Sequence, residues 1–406
     1  MISEYKIKTM DDFDFKGKVV LVRIDVNSPI NQKTNEIMDD RRFLSHKKTI
    51  QELIEKKAKV VIIAHQGRPG DPDFTTLEKH AELLSKVIEH KIRYIDCVFS
   101  SYVINEIKKM KSGDIIMLEN SRFCAEENII RPADVQAKTH MVRKLSSVID
   151  IYVDDAFGTA HRSQPSLVGF PEVLPCCAGR LMEREIKIID KIMKTPKKPV
   201  TFILGGTKAD DSFKAAEKAL SNGTDYILAG GLVGNIFLVA KGYRIGEPSI
   251  EFIRGKGLIE QIDVAKALLD KYDDKIITPV DLALDYKDER FEIDVSELPR
   301  NYVIKDIGRK TIEKFKEIIR KSGTVFAKGA LGVFEDEKFA IGTEEIVKEI
   351  ADNRNAFSVV GGGHLVASVR KLNVEDKITH ISSGGGACIS MLAGYSLPAV
   401  EALRGK

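Results

Sequence analysis

Short apolar runs alternate with longer amphipathic stretches along the whole chain. In the first half, four runs are rich in aliphatic residues and lead directly into polar residues, as buried strands do. They are Lys18–Val22, Val60–Ala64, Asp114–Leu118 and Ile151–Val153. Helical spacing of apolar residues follows between them, which predicts a parallel α/β sheet. Ligands bind such a sheet at the carboxyl ends of its strands.

The second half repeats this alternation, but its predicted strands lead mainly into glycines. Six apolar runs predict strands, namely Val200–Leu204, Tyr226–Ala229, Ile276–Thr278, Thr324–Ala327, Phe357–Val360 and Thr379–Ser382. Five of the loops that follow them contain glycine. The pattern therefore predicts a second parallel α/β domain.

The segment Arg180–Lys194 separates the two halves. Its apolar residues recur at the spacing that forms one stripe along a helix. The stripe consists of Met182, Ile186, Ile189 and Met193. Prolines stand before and after the segment, and such a bracketed helix between two α/β regions is a candidate for an interdomain connector.

The composition is that of an ordinary globular protein. Of 406 residues, 43% are hydrophobic and 30% are charged, with a net charge of +3. This near balance argues against nucleic acid or a membrane surface as the main partner. No apolar run approaches the ~20 residues of a membrane-spanning helix, and residues 1–6 lack a signal-peptide core. The five cysteines show no CxxC spacing, so we expect reduced thiols in a cytoplasmic protein.

Basic side chains recur just after predicted strands or at a helix start. They are Arg23, Arg42, His65, Arg68, Arg122 and Arg162. Because the carboxyl ends of parallel strands lie together, these groups should converge on one crevice. Their mutual repulsion implies a multiply charged ligand, such as a phosphate or carboxylate. Asp25 and Asn27 add an acceptor and an amide, which suit a sugar-acid hydroxyl. An internal ion-pair network is the alternative interpretation.

The glycine loops have complementary chemistry. Glycine lets backbone N–H groups approach a phosphate closely, and helix N-termini add partial positive charge. Gly361–Gly363 and Gly384–Gly386 directly follow predicted strands and are the strongest candidates for nucleotide binding. The chain has neither a P-loop sequence nor a GxGxxG sequence opening its first helix. His161 is either a catalytic base or a residue that orients its neighbour, and Cys388 is expected to be a packing residue.

In combination, several segments resemble the phosphoglycerate kinases, and their details are most similar to the archaeal branch. The segments are Arg23–Pro29, His65–Pro69, Leu118–Phe123, Asp155–Arg162, Leu204–Lys208, Gly332–Glu335 and Ser383–Ala387. The resemblance covers essentially the whole chain. It implies a phosphotransferase with a carboxyl group as acceptor, which converts 1,3-bisphosphoglycerate and Mg-ADP reversibly to 3-phosphoglycerate and ATP in glycolysis and gluconeogenesis.

The resemblance also implies roles for individual residues. The glycerate would be held by Asp25, Val26, Asn27, Arg42, His65, Gln66, Gly67, Arg68, Arg122 and Arg162. The nucleotide would be bound by Lys208, Glu335, Gly362, Gly363, His364 and Leu365, with Glu335 on the ribose. The transferring phosphoryl group would be stabilised by Arg42, Lys208, Gly385 and Gly386. Mg²⁺ would enter with ADP or ATP.

Three positions depart from the commonest pattern of that family. His364 stands where an aspartate usually contacts the metal, so the metal ligand is left unassigned. Ser212 stands where many members have a second lysine, with Lys214 as the alternative lysine nearby, and Lys328 precedes a glycine where asparagine is usual.

The expected fold is α/β, with two doubly wound parallel-sheet (Rossmann-like) domains joined by a hinge helix. Residues 1–178 would bind 3-phosphoglycerate, residues 179–195 would form the connector, and residues 196–387 would bind the nucleotide. Residues 388–406 would form a tail that packs back on the first domain. The competing functions are a non-catalytic phosphosugar or nucleotide sensor and an NAD-linked dehydrogenase. Both half-sites look intact, which argues against the sensor, and the missing glycine fingerprint argues against the dehydrogenase.

Overall fold

The computed structural model describes residues 6–392 and 394–404. The chain divides into two units, Met1–Lys187 with Ser396–Lys406, and Ile188–Tyr395. Each unit contains a six-stranded sheet in which all neighbouring strands are parallel. The expected fold class of two doubly wound α/β domains is therefore confirmed. Residues 1–5, 393, 405 and 406, which the expected domains and tail include, lie outside the described residues.

The first unit is built around strand β1. Its strands are β1 Val19–Arg23, β2 Ile30–Asn31, β3 Glu36–Ile37, β4 Lys59–Ile63, β5 Ile92–Ile95, β6 Ile115–Leu118, β7 Ile151–Asp154 and β8 Cys176–Ala178. Its helices are α1 Arg41–Glu55, α2 Glu78–Ile88, α3 Ser101–Lys108, α4 Ala133–Gln136 and α5 His140–Leu145. Strands β2 and β3 form a separate antiparallel pair.

The strand order of the first sheet determines where the loops at the carboxyl ends of its strands lie. The order is β5-β6-β4-β1-β7-β8. All residues of β6 and β7 are buried, as expected for strands that are covered on both faces. The chain passes from β1 to β4 on one side and returns to β7 on the other. The loops diverge at the carboxyl end of β1, where doubly wound sheets bind ligands.

Helix α6, Arg180–Lys194, begins in the first unit and ends in the second. Its expected apolar stripe is buried at Met182, Ile186 and Ile189, while Met193 is half-buried. None of the described helices is long and apolar enough to cross a membrane.

The second unit has the same kind of sheet with an antiparallel addition. Its strands are β9 Val200–Leu204, β10 Tyr226–Ala229, β11 Ile276–Ile277, β12 Asp281–Tyr286, β13 Glu289–Asp294, β14 Ile304–Ile307, β15 Thr324–Lys328, β16 Phe357–Gly361 and β17 His380–Ile381. The parallel sheet has the order β11-β10-β9-β15-β16-β17, and β13-β12-β14 form the antiparallel sheet. Its helices are α7 Ala209–Ser221, α8 Gly231–Ala240, α9 Glu247–Gly255, α10 Gln261–Tyr272, α11 Arg309–Lys321, α12 Ile341–Asp352, α13 Gly363–Lys371 and α14 Gly385–Leu392.

The end of the chain divides between the units. Helix α14, part of which was expected in the tail, packs on α7 within the second unit. The segment that belongs to the first unit begins at Ser396 and contains helix α15, Pro398–Ala402. There the Ala399 N–H donates to the carbonyl of Ala160 at 3.1 Å. Apolar side chains on both sides of this bond are buried, namely Leu397, Val400 and Leu403.

Candidate active site

The predicted basic residues of the first unit lie at the carboxyl ends of four neighbouring strands. Arg23 ends β1, His65 follows β4, Arg122 follows β6 and Arg162 follows β7, while Arg42 lies in the first turn of α1. Their charges act on one another strongly enough to shift pKa values within the set. The groups therefore form one cluster, which we call the basic cluster, together with Arg68.

Asp25 is the anionic centre of the basic cluster. Its Oδ1 accepts a hydrogen bond from the Asn27 N–H at 3.2 Å, and its Oδ2 accepts one from Arg42. Burial by itself would raise the pKa of Asp25, but Arg42 and the other basic groups hold that pKa well below its ordinary value. Asp25 is therefore a fixed acceptor at neutral pH.

A buried histidine–aspartate pair holds the backbone of Asp25. The His46 Nδ1 lies 2.7 Å from the Asp155 carboxylate, and its Nε2 accepts from the Asp25 N–H at 3.0 Å. The other oxygen of Asp155 accepts from the Leu181 N–H at 2.9 Å. The pair thus joins the loops after β1 and β7 to the start of α6.

Arg23 fixes the protonation state of His65. The buried Arg23 donates from Nε to the Ser166 hydroxyl and from Nη2 to the His65 Nδ1, both at 2.9 Å. Because a guanidinium can only donate, Nδ1 is the acceptor and neutral His65 carries its proton on Nε2. Burial lowers the pKa of His65 well below its ordinary value, and the charge of Arg23 lowers it further. Its buried Nε2 has no hydrogen-bond partner among the residues that the structure describes. That N–H is therefore a hydrogen-bond donor unsatisfied by the described residues and available to a ligand.

Gln66 and Gly67 shape the loop after β4. The Gln66 side chain accepts from the Ser28 N–H at 2.9 Å and donates to the Ser28 carbonyl at 3.0 Å. The Gly67 N–H donates to the Asn27 Oδ1 at 2.9 Å, and its carbonyl accepts from Arg122. The φ of Gly67 is +66°, a conformation that favours glycine. The side chains of Gln66 and Asn27 are therefore used in holding the loop.

Burial and repulsion from neighbouring arginines lower the pKa values of Arg122 and Arg162 in the basic cluster. Burial lowers the pKa of Arg122 to about 10, and the charge of Arg162 contributes. Burial also lowers the pKa of Arg162, followed by the charge of exposed Arg68. The Nη1 of Arg162 is buried without a hydrogen-bond partner within the described ranges. An internal ion-pair network accounts for Arg42 but not for this atom, so the arrangement favours an anionic ligand.

In the second unit, the glycine loops after the central strands meet. The Gly205 N–H, after β9, donates to the carbonyl of Lys328 at the end of β15 at 2.9 Å. A Cβ on Gly385 would lie 2.5 Å from the backbone nitrogen of Gly362, so the loops after β16 and β17 touch. The chain leaves β9 to β10 on one side and later returns to β15 on the other. These loops therefore lie at the point of the second sheet where ligands bind.

Two helices begin within these loops. Gly363 starts α13 and Gly385 starts α14, so unpaired N–H groups and the positive ends of two helix dipoles lie there. Gly362 directly precedes α13 and has a φ of +92°. A Cβ would meet open space at Gly363 and Gly386, whereas Leu365 is buried. Leu365 can therefore offer a ligand only its backbone.

Charged side chains surround the glycine loops. Lys208 is exposed directly before α7. Glu335 and His364 are both more than half exposed, with the His364 Nε2 3.4 Å from the Glu335 Oε1. The His364 ring also stacks on Phe334, with 5.7 Å between ring centroids. The imidazole of His364, which stands where the family usually has aspartate, thus lies beside Glu335.

Comparison with known proteins identifies the family. A family model for phosphoglycerate kinase matches residues 10–395. The chain is 50% identical over 400 residues to the phosphoglycerate kinase of Methanothermus fervidus, covering 98% of this chain and 97% of that protein. This chain belongs to the phosphoglycerate kinase family. The phosphoglycerate kinase of Pyrococcus horikoshii is 47% identical over 400 residues, covering 97% of each chain.

Solved phosphoglycerate kinases share the fold. The crystal structure from Pyrococcus horikoshii OT3 has a TM-score of 0.91 and 46% identity, covering 97% of this chain and 98% of that chain. The enzyme from Coxiella burnetii has a TM-score of 0.81 and 31% identity, covering 98% of each. The family resemblance inferred from the motifs is thus confirmed.

Sequence reasoning missed several buried residues that support the basic cluster. The Ser166 hydroxyl, which accepts from Arg23, donates to the buried carboxylate of Glu127. Burial raises the pKa of Glu127, and the charge of Arg23 opposes that shift. His46 lies within a helix without any local sequence signal. Asn120, whose Oδ1 accepts from the Arg122 N–H at 3.1 Å, was available from its place in a family motif.

Proposed function

We propose that this chain catalyses the reversible transfer of a phosphoryl group between 1,3-bisphosphoglycerate and ADP, giving 3-phosphoglycerate and ATP. Membership of the phosphoglycerate kinase family supports this reaction. The observation that carries the proposal is the basic cluster around Asp25 and neutral His65, because it is built for a ligand with several negative charges. The glycine loops of the second unit supply matching chemistry for a nucleotide.

The first unit binds the glycerate in this proposal. The guanidinium groups of Arg68, Arg122 and Arg162 bind its anionic groups. The free Nε2–H of His65 donates to an oxygen of the ligand, and Asp25 accepts from its hydroxyl group. The backbone and loop contributions come from Val26, Asn27, Gln66 and Gly67.

The second unit binds ADP or ATP. Lys208 and the N–H groups at the starts of α13 and α14 bind the phosphates. Glu335 accepts from the ribose hydroxyls. His364 and the backbone of Leu365 line the same ligand, following Gly362 and Gly363.

The transfer itself needs no proton-abstracting residue. The acceptor in the ATP-consuming direction is a carboxylate, which is already ionised at neutral pH. The catalytic work is to position the reactants and to neutralise charge as phosphorus moves between oxygens. Arg42, Lys208 and the N–H groups of Gly385 and Gly386 perform it.

Mg²⁺ is proposed to enter bound to the nucleotide. Among the described residues, no group of three or more His, Cys, Asp or Glu side chains is arranged to hold a metal ion. Mg²⁺ prefers oxygen ligands and is commonly held through substrate phosphates. When bound, it neutralises phosphate charge. The imidazole of His364 does not fit it, so no residue of this chain is assigned to the metal.

The two reactants bind to different units, so turnover requires a hinge motion that brings them together. We assign the hinge to residues 179–195, which contain α6. The glycerate domain is then residues 1–178 with the segment that begins at Ser396, and the nucleotide domain begins at residue 196 and includes α14. We also propose a cytoplasmic enzyme whose partners are these small molecules, with neither nucleic acid nor membrane among them.

An assay of ATP-dependent phosphorylation of 3-phosphoglycerate tests the reaction. The acyl phosphate is trapped by coupled reduction, and oxidation of the reduced nicotinamide is followed. Ligand binding without turnover would instead establish a sensor and refute the proposed enzyme.

Arg42→Ala should lower kcat by about 10³-fold or more, because its guanidinium stabilises the transferring group. ADP affinity, measured by calorimetry, should stay unchanged. The matched control is Arg41→Ala, since Arg41 lies at the same helix start and pairs with Asp39 instead of Asp25. Equal loss of turnover in both variants, or loss of ADP binding in Arg42→Ala, would contradict the assignment.

A further inference from the structure

Lys328 is a buried lysine whose ammonium group has a carboxylate nearby but no hydrogen-bond partner among the described residues. It is the last residue of β15, between β9 and β16 in the second sheet, and only 7% of it is exposed. Its Nζ has no hydrogen-bond partner in the part of the chain that the structure describes. The nearby carboxylate of Asp211 lies at 3.8 Å and is itself 48% exposed.

The position of Lys328 is inside the group of glycine loops. Its carbonyl accepts from the Gly205 N–H at 2.9 Å. A Cβ on Gly362 would lie 3.6 Å from the Lys328 Cγ, so its side chain runs beside the loop that precedes α13. Burial lowers the pKa of Lys328, the charge of Asp211 opposes this, and the charge of Lys208 lowers it further. Two ammonium groups therefore share the proposed phosphate region.

A purely structural role does not account for this side chain. A buried ammonium group needs its three donors satisfied, and leaving them unmade destabilises the fold. The distance to Asp211 is too long for a hydrogen bond. A methionine of similar length would pack at this position without the charge. The lysine therefore makes physical sense only with a further anionic partner.

We propose that Lys328 binds the phosphates of ADP and ATP together with Lys208. This inference rests on the proposed nucleotide site. The ammonium group approaches the phosphates from the end of β15, and Lys208 directly precedes α7, which follows the neighbouring strand β9. Ser212, one turn into α7, is buried and donates its hydroxyl to the Lys208 carbonyl at 3.3 Å, so it brings no charge. Lys328 supplies the second positive charge instead.

The test uses Lys328→Met with Lys266→Met as the control, because Lys266 is an exposed lysine on α10 in the same unit. Calorimetry with excess magnesium measures binding of ADP and of adenosine to the full chain. Lys328→Met should weaken ADP binding by about tenfold or more. Adenosine binding should be unchanged, because adenosine has no phosphates. The melting temperature should stay equal or rise, since an unsatisfied buried charge is removed.

Several outcomes would overturn the proposal. They are wild-type ADP affinity in Lys328→Met, an equal loss for adenosine, failure of the variant to fold, or the same loss of ADP affinity in Lys266→Met. Failure of the proposed kinase reaction can be told apart from failure of this inference, because it would appear as absence of turnover in the wild-type chain. An active wild type with an unaffected Lys328→Met variant refutes only the role of Lys328.

Discussion

The hydrogen-bond partners and protonation states of single residues in the site depend more on burial than on residue type. Gln66 looks like a ligand-binding residue in the sequence, yet its amide is used in holding Ser28. The place of His65 after a strand was predictable, but its neutral state was not, because that depends on burial of the ring and on the charge of Arg23, whose Nη2 lies 2.9 Å from the His65 Nδ1. Sequence position therefore indicates which residues reach the site, and only the packing decides their protonation and partners.

Asp154 gives a pH-dependent prediction at this scale. It ends β7, is fully buried, and burial raises its pKa to about 7 from 3.8. The folded chain therefore holds this proton more tightly than the unfolded chain does, so stability is lost as pH rises between these two values. Asp154→Asn cannot ionise and should gain about 2 to 3 kcal/mol relative to wild type between pH 5 and pH 8.

Urea unfolding at the two pH values measures this gain. The control is Asp134→Asn, which makes the same change at an exposed carboxylate on α4. The explanation fails if the stability difference between Asp154→Asn and wild type is the same at pH 5 as at pH 8.

At the scale of elements, most of the parallel strands were predictable and the antiparallel ones were not. β9 and β10 have the expected bounds, because strands buried on both faces appear as continuous apolar runs. The sheet of β12, β13 and β14 was missed. β13 has one buried residue, Ile293, among exposed and half-buried ones and is largely charged, so its sequence resembles that of a loop. β8 was missed because it is short and follows Pro175.

The contact between two glycine loops gives a prediction about elements. A Cβ at Gly385 would lie 2.5 Å from the nitrogen and 2.8 Å from the Cα of Gly362, and backbone cannot move aside cheaply. Gly385→Ala should therefore destabilise the second unit by about 1 to 3 kcal/mol and weaken ADP binding. Gly386→Ala is the control for stability, because its Cβ would meet open space.

Thermal unfolding of both variants decides this point. Equal melting temperatures for Gly385→Ala and wild type would show that the loops have room to separate. A loss of ADP affinity in Gly386→Ala at unchanged stability would show instead that the ligand approaches that carbon.

At the scale of the whole molecule, the first unit is completed by the segment after Ser396. Its apolar residues alone do not reveal which unit they join, since three buried side chains in and beside a short helix fit many surfaces. The sequence suggested this packing only through the family resemblance. The observed bond between Ala399 and Ala160 lies two residues before Arg162 of the basic cluster. Support of the proposed glycerate site therefore comes partly from the end of the described chain.

Leu403→Ala tests this support. Leu403 is 1% exposed, and its removal should cost about 2 to 5 kcal/mol. Hydrogen exchange should quicken in residues 151–178 of the first unit and stay unchanged in β9 of the second. The control is Arg404→Ala, an exposed neighbour whose pair with Glu401 contributes little. Uniform acceleration across both units would contradict a local role.

The discontinuity of the first unit has a consequence for biosynthesis. Residues 188–395 lie between its two parts, so a ribosome makes the entire second unit before the segment that completes the first. Units of a nascent chain fold as they emerge. The surface around Ala160 in the half that emerges first therefore stays uncovered until the segment that begins at Ser396 has been made. Nucleotide binding should appear on the growing polypeptide before glycerate binding, although the glycerate residues are translated earlier.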